Sequence, residues 1–176
     1  MTTPETYVVL VDEQDAELGR AEKLAAHRAG QLHRAFSVFL FNERGEWLLQ
    51  RRAQSKYHSG GLWSNTCCSH PAPGESTRAA AERRLREELG ITCALDEVFS
   101  FRYDAVLDGG MTEREYDHVF VGRYSGEPTP DPAEVDDWAW VAPAEVRAAL
   151  DARPEDYTVW FRQAAAELWA RGIAPP

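Results

Sequence analysis

The chain has 176 residues, 44% hydrophobic and 27% charged, which is the size and make-up of one globular domain with room for a buried core. Its net charge of -10 excludes a surface built to grip nucleic acid or an anionic membrane, so any basic cluster has to be local. Three cysteines, Cys67, Cys68 and Cys93, make neither a disulfide framework nor a zinc ribbon, and no apolar run or leader-like start appears, so a cytoplasmic protein with reduced thiols is expected.

In chain order, Tyr7 to Val11 reads as a first strand, and Ala21 to His27 as a short helix ended near Gly30. His33 to Asn42 has the β-branched and aromatic content of a strand, and after a turn at 42–45, Trp47 to Arg51 returns as the second arm of a hairpin. Ser55 to Gly61 reads as a polar loop, and Leu62 to Cys68 has no clear period. Helix formers fill the stretch between a Ser76 or Thr77 cap and a Gly90 stop. Val98 to Val106 and Glu115 to Tyr124 read as strands joined through Asp108 to Gly110, and Trp138 to Val141 as another. Pro143 opens a helix, and Tyr157 to Arg171 forms the last one, with Trp160, Phe161, Ala164, Leu168 and Trp169 on its apolar side. Interleaved strands and helices predict a mixed α/β sandwich in a single domain.

The helix after Pro71 is the first stretch to carry chemistry. Glu75, Arg83, Leu85, Glu87, Glu88, Gly90 and Ile91 fall on the pattern G-x5-E-x7-R-E-U-x-E-E-x-G-U, so the chain resembles the Nudix superfamily. Ser69 and Arg84 depart from that pattern. Arg84 stands where a metal-binding glutamate is usual, exchanging a carboxylate for a guanidinium that donates to phosphate. Such a site suits holding a diphosphate better than cutting it. By spacing alone, Arg84 and Glu88 also fit an ordinary exposed helix ion pair.

Other clusters are weaker on their own. Glu113 and Glu115 share one face of an extended segment, where two carboxylates repel unless a cation or proton lies between them; taken alone, a solvated strand face or loop is the better explanation of them. His27 and His33 bracket a helix-to-strand turn, and His70 follows the cysteine pair. Single histidines and cysteines are usually structural, but three imidazoles with two carboxylates make a site for Mn, Mg, Fe or Zn. His58 reads as a spare surface residue, and His118 lies outside the ligand pattern.

Taken in order, Glu22 to His27, His33 to Ser37, Arg51 to Lys56, Trp63 to Pro71, Phe101 to Tyr103 and the Glu113, Glu115 pair resemble type I isopentenyl-diphosphate isomerases from about Tyr7 to Trp169. The resemblance implies a Nudix-like α/β/α sandwich with a mixed sheet, monomeric or weakly associating. It implies that His27, His33, His70, Glu113 and Glu115 hold one divalent ion (Mn2+, Mg2+ or Zn2+), and that Glu88 and the Cys68 carbonyl meet a Mg2+ arriving with the substrate. Lys23, Arg52, Lys56 and Arg84 would hold the diphosphate; Lys23 and Lys56 are the chain's two lysines. Cys68 and Glu115 would be the proton-transfer pair, with Tyr103 hydrogen-bonded to Glu115 and the Trp160 face turned to a carbocation-like intermediate. Trp63, Tyr103 and Trp160 would keep water from trapping that cation. Val159 stands where the family usually has proline. Rival readings are a Nudix pyrophosphohydrolase of an organic diphosphate and a non-catalytic Nudix-fold binding module.

Overall fold

A computed structural model describes residues 7–174. Among them nine strands, β1 (Tyr7–Val11), β2 (Glu17–Glu22), β3 (His33–Phe41), β4 (Trp47–Arg52), β5 (Trp63–Ser64), β6 (Cys67–Ser69), β7 (Leu95–Val106), β8 (Thr112–Arg123) and β9 (Val135–Val141), form one mixed sheet. Four helices, α1 (Lys23–Ala29), α2 (Thr77–Leu89), α3 (Pro143–Ala152) and α4 (Val159–Ala170), complete the α/β fold.

The organising strand is β3. Along one edge it pairs in parallel with β8 over its whole length, from His33↔Glu115 to Phe41↔Arg123. Its other edge is shared by β1 at Leu10↔His33, by β6 from Phe36↔Ser69 to Val38↔Cys67, and by β4 at Phe41↔Trp47. Strand side chains alternate between faces, so β3 feeds two cores. Phe36, Val38 and Leu40 pack with Leu85, Leu89 and Ile91 around α2. Phe39 and Phe41 pack on the opposite face with Trp160, Phe161 and Leu168 of α4. Helices thus cover both faces of the sheet.

Several expectations shift. The first helix begins at Lys23, because Ala21 and Glu22 belong to β2, an edge strand with no buried residue to announce it. The predicted hairpin makes only the Phe41↔Trp47 pair, and β4 runs instead against β9 from Trp47↔Val141 to Arg52↔Val135. The unassigned 62–68 stretch holds β5 and part of β6, elements too short to show a period. The last helix starts at Val159, after Tyr157 bridges to Trp63.

Candidate active site

Strand register assembles the site. Ser37 lies opposite Cys68, His33 opposite Glu115, and Glu115 opposite Tyr103. These pairs place His33, Ser37, Cys68, Tyr103 and Glu115 on the face that α4 covers, and Glu113, two residues before Glu115, shares it. Adjacent cysteines must point oppositely: Cys67 is fully buried in the α2 core, whereas Cys68 lines a cavity. The rest of the cavity wall includes Lys23, Arg52, Lys56, Arg84, Glu88, His70, Glu113, Glu115, Tyr103 and Trp160. His27 and His33 sit fully buried behind it, their rings 4.9 Å apart.

Three features fix the imidazoles. The first is α1, capped by the Glu22 carboxylate and stopped by Gly30 at φ 63°, which carries His27 inward. Next, Nδ1 of His27 faces the Lys23 carbonyl at 2.7 Å and Nδ1 of His33 the Gln31 carbonyl at 2.8 Å. Finally, both Nε2 atoms are thereby turned towards the carboxylates, 3.4 Å from Glu113 and 3.5 Å from Glu115, and Nε2 of His70 lies 2.9 Å from Glu115. Nε2 of His33 is buried with no hydrogen-bond partner. A buried acceptor of that kind is costly unless something binds it.

Electrostatics points the same way. Burial raises the Glu113 carboxyl, but hydrogen bonds from His27, His58 and Tyr103 outweigh it and hold the group well below the ordinary range. Glu115 is raised by burial and by Glu113, and is brought down by His33 and His70. Tyr103 Oη lies 2.7 Å from Glu113 and 2.5 Å from Glu115, yet a phenol has one proton to share between two carboxylates. The remaining partners of both carboxylates are imidazoles, His27 and His58 at Glu113 and His70 at Glu115. His27, His33, His70 and Glu115 have ligand atoms within 4.8 Å of one another, so the donor set fits a divalent cation. Burial, with help from Glu88, Glu113 and Glu115 against Arg52, pushes the Cys68 thiol up to about 12, so it rests protonated.

The basic side chains Lys23, Arg52, Lys56 and Arg84 line the same cavity. Arg84 is buried, not an exposed helix residue, with Nη2 donating to Glu88 at 2.8 Å and Nη1 to Glu87 at 2.8 Å. Gln50 donates to the second Glu88 oxygen at 3.0 Å. Lys56 pairs with Glu134, which also lies 3.3 Å from Arg84. Arg52 sits 5.1 Å from the Trp160 ring centroid, and Lys23 5.0 Å from that of Tyr57. Trp160 is held at the cavity by the start of α4, where Thr158 bonds to Ser64 at 2.9 Å and to the Trp63 carbonyl at 2.9 Å.

His58 is the main correction. It is buried, with Nε2 3.4 Å from Glu113 and its ring edge-on to Trp160. Glu134 and Asp117 also escaped sequence reading. Asp117 accepts from Ser37 at 2.7 Å and is fully buried on the Glu115 face. No periodic signal marks His58 or Glu134, which lie in loops; Asp117 follows the Glu113, Glu115 alternation and could have been found from it. His118 lies apart, between Asp15 and Glu97.

The NUDIX domain family matches residues 31–162. The chain is similar to the isopentenyl-diphosphate Delta-isomerase 1 of Aromatoleum aromaticum, 56% identical over 89% of each chain. It is also similar to the isopentenyl-diphosphate Delta-isomerase of Halorhodospira halophila, 50% identical over 94% of this chain and 99% of that one. In fold it resembles DR0079 of Deinococcus radiodurans, with TM-score 0.70 at 23% identity over 83% of this chain and 89% of that one. A MutT protein of Methanosarcina mazei is similar at TM-score 0.66 and 20% identity, over 80% and 95% respectively.

Proposed function

The chain belongs to the isopentenyl-diphosphate Delta-isomerases of the NUDIX family, and from that premise we infer how its own residues carry out the reaction. The enzyme interconverts isopentenyl and dimethylallyl diphosphate, protonating one carbon of an alkene and deprotonating another. One observation carries the reading: Cys68 and Glu115 wall the same cavity as Lys23, Arg52, Lys56, Arg84 and Trp160.

The four cations bind the diphosphate, which places the five-carbon tail between the Cys68 thiol and the Glu115 carboxyl. One of the pair delivers a proton to the alkene and the other removes one, so each turnover moves a proton from one side of the tail to the other. Tyr103 orients Glu115 through its hydroxyl. Trp160 faces the positive carbon, and a desolvated cation–π contact of this kind contributes about 2 kcal/mol. Support comes from Arg52, whose guanidinium already lies 5.1 Å from the indole centroid. His27, His33, His70, Glu113 and Glu115 would hold a divalent ion (Mn2+, Mg2+ or Zn2+), while Glu88 and the Cys68 carbonyl would meet a Mg2+ brought by the diphosphate; these ions supply positive charge that sets the acidity of Glu115 and neutralises the phosphates. Arg84 and Gln50 donate to Glu88 one to each oxygen, and each oxygen has a second lone pair for such an ion.

Every residue in this scheme comes from one chain, so we take a single-domain monomer as the working unit. No helix among the described residues is long and apolar enough to cross a membrane. We place the enzyme in the cytoplasm, where free Cys67, Cys68 and Cys93 would stay reduced, and its net charge of -10 argues against nucleic acid or anionic lipid as partner. Pyrophosphate hydrolysis is disfavoured because Arg84 replaces a carboxylate and ties up Glu87 and Glu88.

Incubation with isopentenyl diphosphate and Mg2+ in heavy water tests the reading. Deuterium should enter carbon while no phosphate is released. Cys68→Ala and Glu115→Gln should each lower the rate at least a thousandfold with the fold intact, and full activity in either removes that residue from the mechanism.

A further inference from the structure

Three of the buried imidazoles share one arrangement. In His27 and His33, Nδ1 is tied to a nearby oxygen and Nε2 is turned to a carboxylate. His58 repeats it: Nδ1 meets Ser59 Oγ at 3.1 Å, and Nε2 lies 3.4 Å from Glu113 Oε1. That is the pattern of a metal-ligating histidine, whose second ring nitrogen donates to an outer partner and so fixes the tautomer.

The spacing is informative. Glu113 Oε1 sits 3.4 Å from Nε2 of His27 and 3.4 Å from Nε2 of His58. Such contacts are longer than a good N–H···O bond of about 2.7–3.2 Å. They lie near the separation of neighbouring donors on one ion with bonds of about 2.1 Å, about 3.0 Å in octahedral and about 3.4 Å in tetrahedral geometry. His27, His58 and Glu113 all have ligand atoms within 4.8 Å of one another, as do His27, His33, His70 and Glu115. His27 is common to both groups.

We propose that His58 is a metal ligand through Nε2, forming with His27 and Glu113 an extension of the divalent-ion site beside His33, His70 and Glu115. The occupant is an ion of the nitrogen- and oxygen-loving class, such as Zn2+, Co2+ or Mn2+. Arg52 reinforces the placement, since its Nη2 donates to the His58 carbonyl at 3.2 Å. The loop that brings His58 in is closed by Gly61 N–H donating to the Arg52 carbonyl at 2.9 Å, and at Gly60 a Cβ would lie 2.6 Å from the Gln54 carbonyl oxygen.

This proposal rests on the reading of the cavity as a metal centre, and the test separates the two. Metal-free wild type, His58→Ala, His58→Phe and His58→Gln are titrated with Co2+, following the visible d–d bands, and with Zn2+ against a competing chelator. Wild type should bind Co2+. In His58→Ala the band positions and intensities should change and affinity should fall at least tenfold. His58→Phe fills the space without a donor and should behave alike, which covers failure of the alanine variant to fold. His58→Gln, with a carbonyl oxygen in reach, should recover part of the affinity. A wild-type spectrum and affinity in folded His58→Ala or His58→Phe overturns His58 as a ligand. Absence of Co2+ binding by wild type overturns the metal centre itself.

Discussion

Asp117 shows how one buried group can be costly without belonging to the reaction. Its carboxyl is fully buried; one oxygen accepts from Ser37 at 2.7 Å and the other has no partner. Burial, and then the nearby Glu115 charge, push it well above the ordinary aspartate range. A carboxyl with a raised folded pKa binds more protons folded than unfolded, so stability falls as pH rises. The contribution is fully present below the unfolded pKa and is lost as pH climbs through the raised folded one. Asp117→Asn cannot ionise and keeps an oxygen for Ser37. In the metal-free protein its melting temperature should exceed wild type by several degrees at neutral pH, with the gap closing as the pH is lowered towards 4 (the unfolded value for aspartate is about 3.9). Melting curves across that range check it, and a gap independent of pH would mean that charge burial is not the cause.

Among the elements, α2 was the most legible because both ends are written in local chemistry. Ser76 Oγ accepts from Ala79 N–H, and Gly90 at φ 66° closes the helix through its N–H to the Arg86 carbonyl. Glu75 then takes a paired contact from Arg83, at 2.8 and 2.9 Å, which ties the preceding loop to the helix. An alanine at 90 would meet Thr129 Cβ at 3.1 Å, whereas one at Gly74, at φ 82°, meets nothing within 4 Å. Both substitutions incur the left-handed penalty of about 1–2 kcal/mol. Gly90→Ala should therefore lose more stability than Gly74→Ala in urea unfolding, the excess measuring the Thr129 contact. Equal losses would place the whole effect in the backbone. The weakly legible elements lack such signals. At the edge, β2 buries nothing, and β5 and β6 run two and three residues. Ser55 to Gly61 reads as a polar loop, but its direction is set by long-range contacts, so its sequence does not show that His58 points inward.

At the scale of the whole molecule, the metal ligands that sequence order suggested are drawn from α1, β3, the segment after β6, and β8, spanning positions 27 to 115. Their order was readable because motif spacing survives in one dimension. Their convergence was not, because it depends on β8 running parallel to β3 and β6 antiparallel to it. Without a cation, two buried carboxylates share one phenol and His33 Nε2 stays unpartnered. An ion there satisfies all of them and staples four segments distant in sequence. A ligand that binds only the folded chain stabilises it by RT ln(1 + [L]/Kd), about 4 kcal/mol at a thousandfold excess over Kd. Chelation should thus lower the melting temperature by many degrees, and adding back Mn2+ or Zn2+ should restore it. In Glu115→Gln the same chelation should have a much smaller effect, since a ligand is already lost. A melting temperature indifferent to chelator in a wild-type protein known to be metal-loaded would mean that the ion serves the chemistry without holding the fold.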